Sequence, residues 1–185
     1  MKFPKGMYVP LGLWIAFVAT VGGANWALAT FGIVPIGFGL SAPAGVYFAG
    51  IGFTLRDLMH DRGGKAWIVS AIVVGAGISY LLEDAQKFAI ASGCAFLLSE
   101  SADWLVYSPL RRRGWVLSVA ASNTVGLIVD SIVFLWIAFG SLDFIDGQIV
   151  GKAYMTVGAI LLLWVVRTFL KARSAEGEPW NPLKT

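Results

Sequence analysis

Cysteine, histidine and charge are scarce in this chain. Cys94 is its one cysteine, so no internal disulfide forms and no zinc site can be assembled from thiolates. His60 is its one histidine, which leaves no histidine-based metal centre and no Ser-His triad: Ser92-Gly93 has no base nearby in sequence, and His60 closes another span. Charged residues are 14% of the 185 positions, where a soluble domain carries about a quarter. No G-x-x-x-x-G-K-[ST] phosphate loop occurs, so any ATP use has to come from a partner chain. These absences argue against a disulfide-stapled secreted domain, a metalloenzyme and an ATPase. With no nucleophile beside a base, the chain reads as a non-enzyme that needs no metal or cofactor.

What the chain has is apolar length. It is 57% hydrophobic with a mean hydropathy of +0.74, in runs long enough to cross a hydrocarbon core of ~30 Å. Six such runs can be drawn, at 10–31, 36–58, 66–82, 86–107, 115–139 and 149–170. Gly32, Pro35, Gly37 and Gly39 supply the turn between the first two. The expected fold is all-α: a polytopic membrane protein of six transmembrane helices forming one domain over 1–173, with a short polar tail over 174–185.

In that arrangement twelve of the fourteen lysines and arginines fall on one side: Lys2, Lys5, Arg56, Arg62, Lys65, Arg111 to Arg113, Arg167, Lys171, Arg173 and Lys184. The other side holds Glu83, Asp84, Asp143 and Asp146. The positive-inside rule then places both termini in the cytoplasm. The first span also imitates a secretory signal, with Ala27-Leu28-Ala29 as a cleavage site. Cleavage would leave five spans and reverse this sidedness, so the uncleaved six-span reading is preferred.

Polar groups interrupt the spans at helical spacing. Ser92, Phe96, Ser99 and Asp103 recur at i, i+4, i+7 and i+11, with Glu100 beside them, so 3.6 residues per turn gathers them on one face. Two carboxylates three residues apart repel when both are ionised, which suits either proton coupling or accepting hydrogen bonds from a solute. The bland alternative pairs Asp103 with the nearby arginines. Asn123, Gly126 and Asp130 share a face of the fifth span, and Asp130 lies about mid-span, where lipid exposure would be costly. Gln148 and Lys152 are i, i+4. Lys152 either snorkels to the outer interface or serves as counter-ion to Glu100 or Asp130. Asn25 is a lone amide among Gly22, Gly23 and Ala24. Asp57, His60 and Asp61 suggest a metal site on paper, but a charged, solvated helix end explains them better.

Carboxylates and amides facing one another across helices, with no soluble domain, make a central polar cavity for a small solute. At these residues the sequence also resembles the vitamin uptake transporter family, the queuosine-precursor transporters. The resemblance rests on ASGCAFLLSESADWLVYSPLRRRGW, SNTVGLIVDSIVFLWIAFG and GQIVGK, and more loosely on GANWA and FTLRD. It implies a multi-pass importer in the bacterial inner (plasma) membrane that takes up 7-cyano-7-deazaguanine or 7-aminomethyl-7-deazaguanine, bases used in tRNA modification. The partners expected are that small molecule and the lipid bilayer, without direct nucleic-acid contact; a homo-oligomer or an ATPase module is open. The substrate-binding set expected is Asn25, Phe96, Ser99, Glu100, Asp103, Asn123, Asp130, Gln148 and Lys152, with carboxylates and amides on the base edge and Phe96, Phe134 or a tryptophan on its face. The alternative is a substrate-binding membrane subunit energised by a separate ATPase.

Overall fold

The computed structural model describes residues 8–176. The side chains of His60 and Asp61, the basic residues Lys2 and Lys5, and the tail from residue 177 lie outside the described residues. Six α-helices and one β-hairpin make up the described chain.

Helix α1 (Tyr8–Phe31) is an uncharged apolar run that ends where Gly32 adopts φ +63° and its N–H closes back on the Leu28 carbonyl. The chain then differs from the expected second span. Ile33–Gly37 and Leu40–Pro43 form β1 and β2, an antiparallel hairpin with Ile33 opposite Pro43 and a bulge between Pro35 and Gly37. Gly37, Phe38 and Gly39 all have positive φ, so the reversal depends on two glycines. Pro35 has no N–H to continue a helix. Helix α2 (Val46–Gly63) therefore starts ten residues later than the apolar run. The hairpin is seated, with Ile36, Ala42 and Val46 buried against Leu40 and Val150. The Tyr154 hydroxyl donates to the Ile36 carbonyl at 2.6 Å.

Helix α3 (Lys65–Tyr80) follows Gly64. A single 3-10 turn over Glu83–Ala85 leads into α4 (Gln86–Leu110). Helix α5 (Trp115–Phe139) stops at left-handed Gly140, and α6 (Ile145–Glu176) closes the described chain. By length and composition α1, α4 and α5 each hold a segment able to cross a membrane: Leu11–Phe31, Gln86–Leu110 and Ala120–Phe139. Helix α3, at 16 residues, is shorter.

Helices α4 and α5 form the most extensive pair, α1 packs on α2 and α3, and α6 lies along α2. Helices α5 and α6 are adjacent in sequence yet meet only over a short stretch. Two apolar clusters hold the bundle. One joins Phe17, Val21, Phe53, Ile72 and Phe96; the other joins Leu28, Ala91, Ala95, Phe134 and Leu135. The bundle's outside is apolar as well. On α3 the buried face is Ile68, Ala71, Ile72, Gly75 and Ser79, while Val69, Val73 and Ile78 are exposed. Helices α4, α5 and α6 expose Ile90, Leu98, Ile132, Trp136, Leu161 and Trp164 in the same way. Apolar surface of this extent is what lipid covers.

Small residues set the closest approaches. A Cβ on Gly50 would meet the Lys152 carbonyl at 2.8 Å, and a Cβ on Gly147 would run into the Ser41 carbonyl of β2. Backbone cannot step aside as a side chain can. Gly147→Ala is therefore expected to dislodge the hairpin and destabilise the protein by about 1–3 kcal/mol. The control is Gly158→Ala, where nothing lies within 4 Å; it should stay within ~0.5 kcal/mol. Unfolding of both in detergent measures the difference.

Candidate functional site

The polar residues read from the spans separate into two centres. The first is a small cavity, open at its mouth, whose roughly 350 Å³ of empty space includes open solvent. Three helices each line it with a pair four residues apart: Ser92 and Phe96 from α4, Asp130 and Phe134 from α5, Gln148 and Lys152 from α6. Spacing of i, i+4 is what points both members of a pair the same way. Ala24 and Asn25 of α1 complete the wall, with Pro43, Gly45 and Val46 from the hairpin and the start of α2.

Within the cavity, Lys152 Nζ donates to Asp130 Oδ2 at 2.6 Å and to Ser131 Oγ at 2.9 Å. Both charged side chains are buried, at 3% and 7% exposure. Lys152 is thus the counter-ion of Asp130, and of its two sequence readings snorkelling falls away. The pair also joins α5 to α6, which otherwise meet only over a short stretch. Across the cavity Ser92 Oγ donates to Asn25 Oδ1 at 2.8 Å. Two buried polar atoms of the residues lining this cavity have no hydrogen-bond partner: Asn25 Nδ2, a donor, and Gln148 Oε1, an acceptor. Such groups are rare in native interiors and costly without a partner.

The second centre surrounds Arg56 of α2, which is 6% exposed. Its guanidinium reaches Glu100 Oε1 at 2.7 Å and Asp57 Oδ1 at 2.8 Å, and donates to Asn123 Oδ1 at 3.3 Å. Asp103 also acts on Arg56 electrostatically, and its Oδ1 is buried without a hydrogen-bond partner. The arginine nearest Asp103 in sequence, Arg111, is exposed with Arg112 and Arg113 at the end of α4. Ser99 is buried and donates to the Phe96 carbonyl of its own helix at 3.0 Å. Along α4, eight residues separate Ser92 from Glu100, about 12 Å of helix, and Glu100 does not line the cavity.

Asn25, Phe96, Asp130, Gln148 and Lys152 are therefore brought together, whereas Glu100, Asp103 and Asn123 gather on Arg56 and Ser99 lines neither centre. Phe96 lies between the two. Its ring packs on Phe53 with centroids 5.9 Å apart, and the Arg56 guanidinium lies 5.3 Å from the Phe53 centroid. Arg56 is the residue that sequence reasoning undervalued. The available signal was an arginine at the end of an apolar run. Pro43 and Val46 were missed because the hairpin was.

A helical bundle with an apolar exterior, built round a polar cavity with a buried ion pair in its wall, is the architecture of a multi-pass membrane transporter of small molecules. The comparisons agree with this class. The family model described as "Putative vitamin uptake transporter" matches residues 66–170, more than half of the chain, and the protein belongs to that family. The match covers α3 to α5 and most of α6, and so includes both centres except for their α1, hairpin and α2 contributions. No curated protein and no solved structure matches the chain.

Proposed function

We propose that this protein imports 7-deazaguanines, the precursors of the modified tRNA base queuosine, across the bacterial inner membrane, with six spans and both termini cytoplasmic. The observation that carries the reading is the unpartnered couple in the cavity wall, Asn25 Nδ2 and Gln148 Oε1. A guanine-type edge presents a carbonyl acceptor beside ring N–H and amino donors, which complements one donor and one acceptor. Phe96 and Phe134 line the same cavity and supply apolar faces for a flat bicyclic ring. The ion pair of Asp130 and Lys152 keeps α5 and α6 together behind it.

The test uses a bacterium that can neither make nor import the precursor. Cells expressing this protein and fed low concentrations of 7-cyano- or 7-aminomethyl-7-deazaguanine are expected to regain queuosine in tRNA from at least one of them. Asn25→Ala and Gln148→Ala should each raise the concentration required by roughly tenfold, the equivalent of one lost hydrogen bond in a buried site. No queuosine, with the protein verified in the membrane, would refute the reading.

A further inference from the structure

Two bodies of helix meet at the cavity. In the first, α1, α2, α3 and α6 approach closely over glycine: a Cβ on Gly75 of α3 would meet the Val21 side chain at 2.9 Å, and one on Gly50 of α2 would meet the Lys152 carbonyl at 2.8 Å. Helices α4 and α5, the most extensive pair, form the second. The cavity lies on the seam, with Asn25, Gln148 and Lys152 on one side and Ser92, Phe96 and Asp130 on the other. Across the seam α3 packs on α4, its successor in sequence, whereas α2 packs on α1 and α6 rather than on α4 or α5. Arg56 of α2 nonetheless reaches over to Glu100 at 2.7 Å and Asn123 at 3.3 Å.

Three helices agree on where that reach falls. From the hairpin end, α2 runs through Val46, Phe53 and Arg56 to its stop at Gly63, and α4 through Ser92, Phe96 and Glu100 to Leu110. Helix α5, followed backwards, runs through Phe134, Asp130 and Asn123 to its start at Trp115. A solute leaving the cavity toward the Arg111 to Arg113 turn therefore meets the Phe53 and Phe96 rings, 5.9 Å apart, and then the Arg56 centre. The two ion pairs that cross the seam also differ in what parting would cost. Asp130 and Lys152 are both buried, and among the described residues neither has an ion-pair partner within its own body. Separating them strands two charges. Arg56 carries Asp57 on its own helix, at 2.8 Å and half exposed, so it stays neutralised when Glu100 lets go. Glu100 is itself partly exposed, within reach of water.

We infer that Arg56 gates the exit on the side of the Arg111 to Arg113 turn, the cytoplasmic one in the topology proposed above. It parts from Glu100 and Asn123 to let α4 and α5 swing away from α2, while the Asp130–Lys152 pair keeps the rest of the seam shut. This rests on the reading of the chain as an importer and adds its inner gate; the identity of the solute does not enter.

The test measures access to the cavity with no solute present. In a Cys94→Ala background, Ala24→Cys puts the one thiol of the chain on the cavity wall. Its labelling by a membrane-impermeant maleimide is followed in vesicles of both orientations, with Arg112→Cys marking the side of the basic turn and size-exclusion chromatography verifying the fold. Turn-side labelling is expected to be slow with the gate intact. Glu100→Gln should raise that rate roughly tenfold. Asn123→Ala, which removes one acceptor and strands no charge, should raise it roughly threefold; it decides the matter should Glu100→Gln misfold. Labelling from the hairpin side should not rise in either variant. Turn-side labelling of Ala24→Cys as fast as that of Arg112→Cys, with the gate residues intact, overturns the inference. So do folded gate variants labelled no faster than their parent, and so does a rise that is equal from both sides. Each of these outcomes leaves the deazaguanine reading standing, since the queuosine assay tests it separately.

Discussion

Asp130→Ala is expected to abolish uptake and to destabilise the protein by about 3–5 kcal/mol. The reason lies in what is left behind. The Lys152 ammonium, 3% exposed, would keep only the Ser131 hydroxyl at 2.9 Å, with no anion among the other residues lining the cavity. Stranding a buried charge in this way costs more than the intact pair ever contributed. The double variant Asp130→Leu with Lys152→Leu should therefore recover most of the lost stability, since apolar replacement of a buried pair is often neutral. It should not recover uptake, because α5 and α6 would have lost the polar tie between them. Unfolding in detergent and uptake into cells separate the two effects. Asp130→Ala as stable as wild type would mean that the pair is not buried as described.

Arg56→Ala is the second large effect. It removes the cation that Glu100 and Asp57 both engage and that Asp103 faces electrostatically. Asp57 is about half exposed and can be solvated, so most of the cost falls on Glu100, whose side chain is 25% exposed. A loss of about 3–5 kcal/mol is expected, along with loss of uptake, since Phe53 and Phe96 connect this centre to the cavity. Arg56→Lys should recover only part, because an ammonium lacks the planar fork that here engages Asp57, Glu100 and Asn123 together. A double-mutant cycle of Arg56→Met and Glu100→Gln measures the direct term. Coupling of about 1.5 kcal/mol or more supports the pair, and coupling near zero refutes it.

Much of this architecture could be read from residue order, and the failures have physical causes. The uncharged first run, the Gln86 start of α4 and the limits of α5 at Trp115 and Phe139 coincide with helices because apolar length and glycine stops mark them. Lys152 was readable as a counter-ion because a lysine four residues from Gln148 shares its face. The hairpin was not: its residues are as apolar as a helix start, and only Pro35 and three glycines marked it, which sequence reading took as a turn. Depth was hidden too. Periodicity puts Ser92, Phe96, Ser99 and Asp103 on one stripe of α4, but which neighbour meets each turn depends on tertiary contacts. Arg56 finds Asn123 across 67 residues of sequence. A stripe read as one site is therefore two, one around Lys152 and one around Arg56.

The most direct measurement of transport by this chain is counterflow exchange in proteoliposomes. Vesicles holding only the purified protein would be loaded with unlabelled 7-cyano-7-deazaguanine, and entry of the labelled compound followed without ATP or an ion gradient. A carrier that alternates between two sides exchanges solute whatever drives net import in the cell, so saturable entry is predicted, lost in the Asp130→Leu, Lys152→Leu double variant. Tight binding with exchange no faster than in protein-free vesicles would contradict transport by this chain alone and point to a binding subunit that depends on a separate ATPase.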